Sequence, residues 1–151
     1  MASPISIMPR LLPITGTWAA PFAVYAAVLS SRIVAKRMQT GKFIGEKASS
    51  IDGVDPLQTA VRCQGNFLEN VPLAFIFLAL CELNGGNRKN LNYAMGVFLA
   101  LRVAHAEGGL MLQGSYGTNG VGRPIGYFGS TGVVTGLAAY AAYLVKGYWG
   151  F

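Results

Sequence analysis

Arg62-Cys63-Gln64-Gly65-Asn66-Phe67-Leu68-Glu69-Asn70 runs straight into Val71-Pro72-Leu73-Ala74-Phe75-Ile76-Phe77-Leu78-Ala79-Leu80-Cys81. A guanidinium, an amide and a carboxylate stand at i, i+4 and i+7, which share one face of a helix. At about 100° per residue, Gln58, Arg62, Asn66 and Glu69 fall in a strip roughly 80° wide. The uncharged run from 70 to 81 is too short to cross a bilayer alone, because a span needs about 20 residues. The helix crosses only if the polar strip lies within the membrane or at its edge, and the strip is then expected to face inward rather than toward lipid. Such a ladder of opposite charges suits a small zwitterionic molecule held at a membrane surface.

The composition around this stretch is that of a membrane protein. Of 151 residues, 52% are hydrophobic and 12% are charged, with a mean hydropathy of +0.42. Soluble domains carry about 25% charged residues. The length suits one domain, 1–151. The net charge of +6 comes from basic residues beside apolar runs, the usual pattern around spans. No basic cluster is interleaved with aromatics, which excludes nucleic acid as a partner. The single histidine and two cysteines offer no metal-ligand spacing, so no metal is expected. Cys63 and Cys81 read as small buried hydrophobes.

Residues 11–31 are uncharged and exit at Arg32, Lys36 and Arg37. The proline-containing start before them does not read as a cleavable signal. Asp55-Pro56-Leu57-Gln58 is a helix start, with a capping carboxylate and proline at the first helical position. Asn84-Gly85-Gly86-Asn87 is a tight turn. The predicted helices cover about 11–37, 56–83, 88–112 and 123–147, an all-α, integral membrane four-helix bundle. Residues 113–122 form a Gly-rich polar loop. Gly126, Gly129, Gly132 and Gly136 permit close packing of the fourth helix. Basic residues favour the side of the first and third loops, which places those loops in the cytoplasm. The starts of the second and fourth helices and the end of the third then meet at one membrane face.

Two further sets of residues are candidates there. Arg102 and His105 are i and i+3 on the third helix, and an arginine at that depth needs an anion or a partner. Glu107 points roughly 140° away from Arg102. Arg123, at the mouth of the fourth helix, is a cation suited to an anionic substrate or a developing thiolate. A free thiol has a pKa of about 8.5, so a nearby guanidinium raises the reactive fraction at neutral pH. Tyr127 lies one turn beyond it.

These motifs resemble a known family. Arg62 to Pro72 resembles the second-helix signature of the MAPEG family, the membrane-associated proteins in eicosanoid and glutathione metabolism. Arg102-Val103-Ala104-His105 is similar to its third-helix motif, as in microsomal prostaglandin E synthases and bacterial members. Arg123-Pro124-Ile125-Gly126 resembles the start of the fourth helix. Where several members have tyrosines, this chain has Asn70 and Gly109. The resemblance implies a homotrimer with glutathione bound between subunits, in the endoplasmic reticulum or a bacterial inner membrane. It implies that Arg62, Gln64, Asn66 and Glu69 hold the tripeptide, with Arg102 and His105 nearby, and that Arg123 activates the thiol. A lipophilic second substrate would arrive from membrane lipid along the first and fourth helices. The expected activity is that of a microsomal glutathione transferase or peroxidase. The alternatives are an isomerase or cyclase of a lipophilic metabolite, or a non-catalytic lipid-binding scaffold of the same family.

Overall fold

The structure, a computed structural model, describes residues 11–47, 55–112 and 121–150. The Gly-rich polar loop, over 113–120, and the proline-containing N-terminal segment 1–10 lie outside the described residues. Four helices carry the chain: α1 (Pro13–Thr40), α2 (Pro56–Leu83), α3 (Arg88–His105) and α4 (Gly122–Leu144). A π-helical turn, Ala106–Leu110, extends α3, and a 3-10 turn, Lys146–Trp149, follows α4. There is no strand among the described residues.

The local chemistry of each terminus explains these bounds. The Asp55 carboxylate accepts from the amides of Leu57 (2.9 Å) and Gln58 (3.1 Å), and Pro56 opens α2, as expected. Asn87 caps α3 in the same way, accepting from Lys89 (3.0 Å) and Asn90 (3.2 Å). Gly85, at φ 79°, makes the turn between them in a region that side chains avoid. Gly41 ends α1 with φ 66°. The α-helical part of α3 stops at His105, short of the expected end at 112. Gly108 and Gly109 follow, where helix propensity is weakest and a widened turn costs least.

Packing follows the stripes of large residues. The helices form a ring in the order α1, α2, α4, α3, closed by α1 against α3. Phe22 of α1 sits at the centre. Its ring stacks on Phe67 of α2 at 6.0 Å and on Phe98 of α3 at 5.8 Å, and meets Phe75 edge-on at 5.1 Å. Cys63 and Cys81 are buried free thiols, as anticipated.

The outside of the bundle is also apolar. Val24, Ile76, Val97, Ile125 and Phe128 are each more than half exposed. A coat of this kind is unfavourable against water and belongs against lipid or other subunits. α1 and α2 are long and apolar enough to cross a membrane on length and composition. α3 and α4 fall short of that standard of length and composition. α3 carries Arg88, Lys89 and Arg102, and glycine, serine and threonine dilute α4.

Two ends are thereby defined. At the Asn87 end, Glu82 meets the start of α1, and Tyr140 Oη accepts from the Asn87 amide at 2.9 Å. At the Arg123 end, Ile33 packs on Leu57 and Ala60, and α3 meets the start of α4.

Candidate functional site

α2 turns Cys63, Phe67, Ala74, Leu78 and Cys81 into the core. That choice fixes everything else on the helix. Arg62 and Glu69 point the other way and are exposed on the surface of the protomer, with Asn66 half-buried between them. The inward-facing strip expected from sequence is therefore an outward-facing one in the protomer. Phe67 and the cysteines are the better core residues, and a helix has one inner face. Among the described residues, neither the Arg62 guanidinium nor the Glu69 carboxylate has a hydrogen-bond or ion-pair partner, although they share a face. The amide of Asn70 donates to the Asn66 carbonyl at 2.8 Å, which places it along the same helix.

Gln64 is two residues from Arg62 and so lies about 200° around the helix. Its Nε2 donates to Ser30 Oγ on α1 at 2.6 Å. The structure does not bring Gln64 together with Arg62, Asn66 and Glu69.

Arg102 and His105 are buried, 3% and 5% exposed, and both grip α4. Arg102 donates through Nε to Ser130 Oγ (2.8 Å) and through Nη2 to the Gly126 carbonyl (2.7 Å). Its guanidinium also lies 5.9 Å from the centre of the Phe98 ring. His105 Nδ1 is 3.0 Å from the Arg123 carbonyl. A carbonyl only accepts, so Nδ1 carries the proton and Nε2 presents a lone pair. That Nε2 is buried without a partner among the described residues. The partner demanded by a deep arginine is thus α4 itself.

Arg123 and Tyr127 stand on the exposed first turns of α4. The Tyr127 ring meets Phe128 edge-on at 5.2 Å. Gly109, in place of a tyrosine, lets the π turn approach the backbone here. A Cβ at that position would lie 2.8 Å from the Arg123 nitrogen.

Two carboxylates outside the expected set hold the bundle. Glu107 does point away from Arg102, and its target is α1: its Oε1 accepts from Tyr25 Oη at 3.0 Å and pairs with Arg32. Glu82 accepts from the free amides of Ile14 (2.6 Å) and Thr15 (2.8 Å) at the start of α1. Leu12 stands at the cap position and has no side-chain oxygen to offer, so a neighbouring helix supplies one. The sequence signal was present in both cases, as an acid inside an apolar helix end with no partner on its own helix.

The helical bundle with its apolar coat and two membrane-capable helices defines a membrane protein. Residues 15–143 match the model of the MAPEG family, and the chain belongs to that family. It is similar to the inner membrane protein YecN of Escherichia coli strain K12, and to the same-named protein of strain O6:H1, at 32% identity over 91 residues. The match covers 58% of this chain and 66% of each relative, so the chain spans just under two thirds of the length of the curated relatives it matches. No solved structure matches.

Proposed function

We propose that this protein is a membrane-bound glutathione-dependent transferase or peroxidase acting on a lipophilic electrophile. One observation carries the reading: on the outer face of α2, Arg62, toward the end where Arg123 opens α4, and Glu69, near mid-helix, have no partner among the described residues. Charge of both signs on an apolar surface is costly unless something meets it. Glutathione fits that pattern, because it has two carboxylates for guanidinium groups and an ammonium for a carboxylate.

In this reading all four helices cross the membrane and three protomers assemble as a ring. The strip of one protomer then faces the next, which takes Arg62, Asn66 and Glu69 out of lipid. Bound glutathione supplies the nucleophilic sulfur. Arg62 and Glu69 fix its charged ends, and Asn66 adds amide hydrogen bonds between them. Arg123 supplies the positive charge that favours the deprotonated thiol. In conjugation the sulfur–carbon bond forms as the electrophile's leaving group departs with its electron pair. Tyr127, exposed one turn further on, is placed to donate a hydrogen bond to that group. Gln64, Arg102 and His105 act by holding α1 and α4 in place. The Arg123 end is cytoplasmic, in a bacterial inner membrane or the endoplasmic reticulum.

The test is calorimetric titration of glutathione into detergent-solubilised protein, followed by turnover of an aryl halide and a lipid hydroperoxide. Binding in the micromolar-to-millimolar range and a sulfur adduct or glutathione disulfide support the reading. Absence of binding overturns it. The burial of Arg102 and His105 in structural bonds favours one second reading, a lipid-binding scaffold without catalysis. That reading predicts no turnover with either substrate.

A further inference from the structure

α3 and α4 are in close contact at the Arg123 end and stand apart at the other. Gly126 and Gly129 are filled against: a Cβ on Gly126 would lie 2.8 Å from the Leu101 carbonyl, and one on Gly129 would lie 2.7 Å from the Leu101 side chain. Gly136, further along the same helix, would meet nothing within 4 Å. The space it leaves is a groove of about 290 Å3 on the outside of the bundle. Asn90 and Ala94 of α3 and Val133, Gly136 and Tyr140 of α4 are among its walls, which are mostly apolar. It runs from mid-helix, at Ala94 and Val133, to the Asn87 end, where Asn90 and Tyr140 give it a polar rim.

Three cations stand at the same end of the bundle as that rim. Arg88 and Lys89 open α3, exposed, and their side chains have no hydrogen-bond or ion-pair partner among the described residues. Lys146 follows α4 with its Nζ 4.1 Å from the centre of the Tyr143 ring. The acid at this end, Glu82, is engaged with the start of α1. Ligand pockets run from roughly 300 to 1,000 Å3, so this groove takes a single alkyl chain.

We propose that this groove binds one acyl chain of an anionic phospholipid, whose phosphate is met by Arg88, Lys89 and Lys146. Basic residues at the mouth of a cleft between membrane helices are suited to anionic headgroups, at about 1 kcal/mol per cation near the surface. The site is at the opposite end of the bundle from Arg62 and Arg123 and does not depend on the proposed reaction.

The experiment is native mass spectrometry of the full chain released from bilayers of phosphatidylglycerol and phosphatidylcholine with matched chains. The wild type is expected to retain phosphatidylglycerol over phosphatidylcholine by roughly tenfold. Free glycerol phosphate is expected not to compete, because it has no chain for the groove. A Cβ on Gly136 has open space around it, so Gly136→Leu is expected to occupy the groove, and both lipids should fall to background while the melting temperature holds. Ala94→Leu, from the opposite wall, gives the same reading should Gly136→Leu fail to fold. Replacing Arg88, Lys89 and Lys146 with Gln should leave lipid bound and remove the preference for phosphatidylglycerol. Unchanged retention in the filled variants overturns the site. So does an unchanged preference in the neutral one, or a disulfide between protomers through Gly136→Cys, which would show a second copy in the groove.

Discussion

Glu82 and Glu107 are both acids within the bundle, yet each is held by something different. Glu82 faces a helix start, where free amides and the positive end of the macrodipole favour a carboxylate. Glu82→Leu leaves the Ile14 and Thr15 amides without their acceptor and is expected to cost about 1–2 kcal/mol. Glu82→Gln keeps an acceptor and should recover part of that, read as thermal stability in detergent. Glu107 instead ties the π turn to α1 through Arg32 and Tyr25. A double-mutant cycle of Arg32→Met and Glu107→Gln should give a coupling of about 1–2 kcal/mol, because either single change leaves a partly buried charge without its partner. At the proposed site, Arg123→Ala should lower kcat at least tenfold with little change in glutathione affinity, whereas Arg62→Ala should weaken binding first. Equal losses of binding in both would remove the distinction between thiol activation and grip. Arg62, Asn66 and Glu69 were legible as one strip from spacing alone. The direction of the strip was not, because periodicity says which residues share a face but not which face the neighbouring helices cover. Gln64 shows the same gap: its place in the motif carries no sign of Ser30, which lies 34 residues away.

Of the five glycines in α4, the four from Gly126 to Gly136 do not do the same job. Gly126 and Gly129 admit His105 and Leu101 of α3, while a Cβ on Gly132 or Gly136 meets nothing within 4 Å. The expectation that all four serve close packing holds for half the helix. Gly126→Ala pushes a methyl group toward the Leu101 carbonyl and toward the turn held by His105. It is expected to cost about 1–3 kcal/mol, as overpacking does. Gly132→Ala has open space and removes a poor helix former, so it should be neutral or stabilising by up to about 1 kcal/mol. Melting of the two variants side by side separates packing from propensity on one helix. The caps of α2 and α3 were readable because Asp55, Pro56 and Asn87 act within a few residues of themselves. The π turn was not readable, because it depends on how closely Gly109 approaches the Arg123 backbone across the gap between two helices.

At the level of the whole molecule, an apolar coat surrounds a bundle whose polar strip also faces outward. Lipid satisfies the coat, but not Arg62 and Glu69. A ring of protomers satisfies both if the strip is turned against a neighbour, and in a cyclic assembly each contact joins two different surfaces. If Arg62 of one protomer and Arg123 of the next form one site, then at subsaturating glutathione Arg62→Ala and Arg123→Ala chains each turn over at well under a tenth of the wild-type rate alone. Co-assembled in equal amounts, they regain intact sites wherever the two unaltered residues face one another, about a quarter of all sites for random cyclic assembly. Turnover of the mixture should then reach about a quarter of the wild-type value. A site contained within one protomer predicts no recovery at all, since every chain in the mixture lacks one of the two residues. Native mass of the mixture, measured in the same sample, must show hybrid trimers. Hybrids without recovered turnover would place Arg62 and Arg123 in the same protomer's site or remove one of them from the reaction.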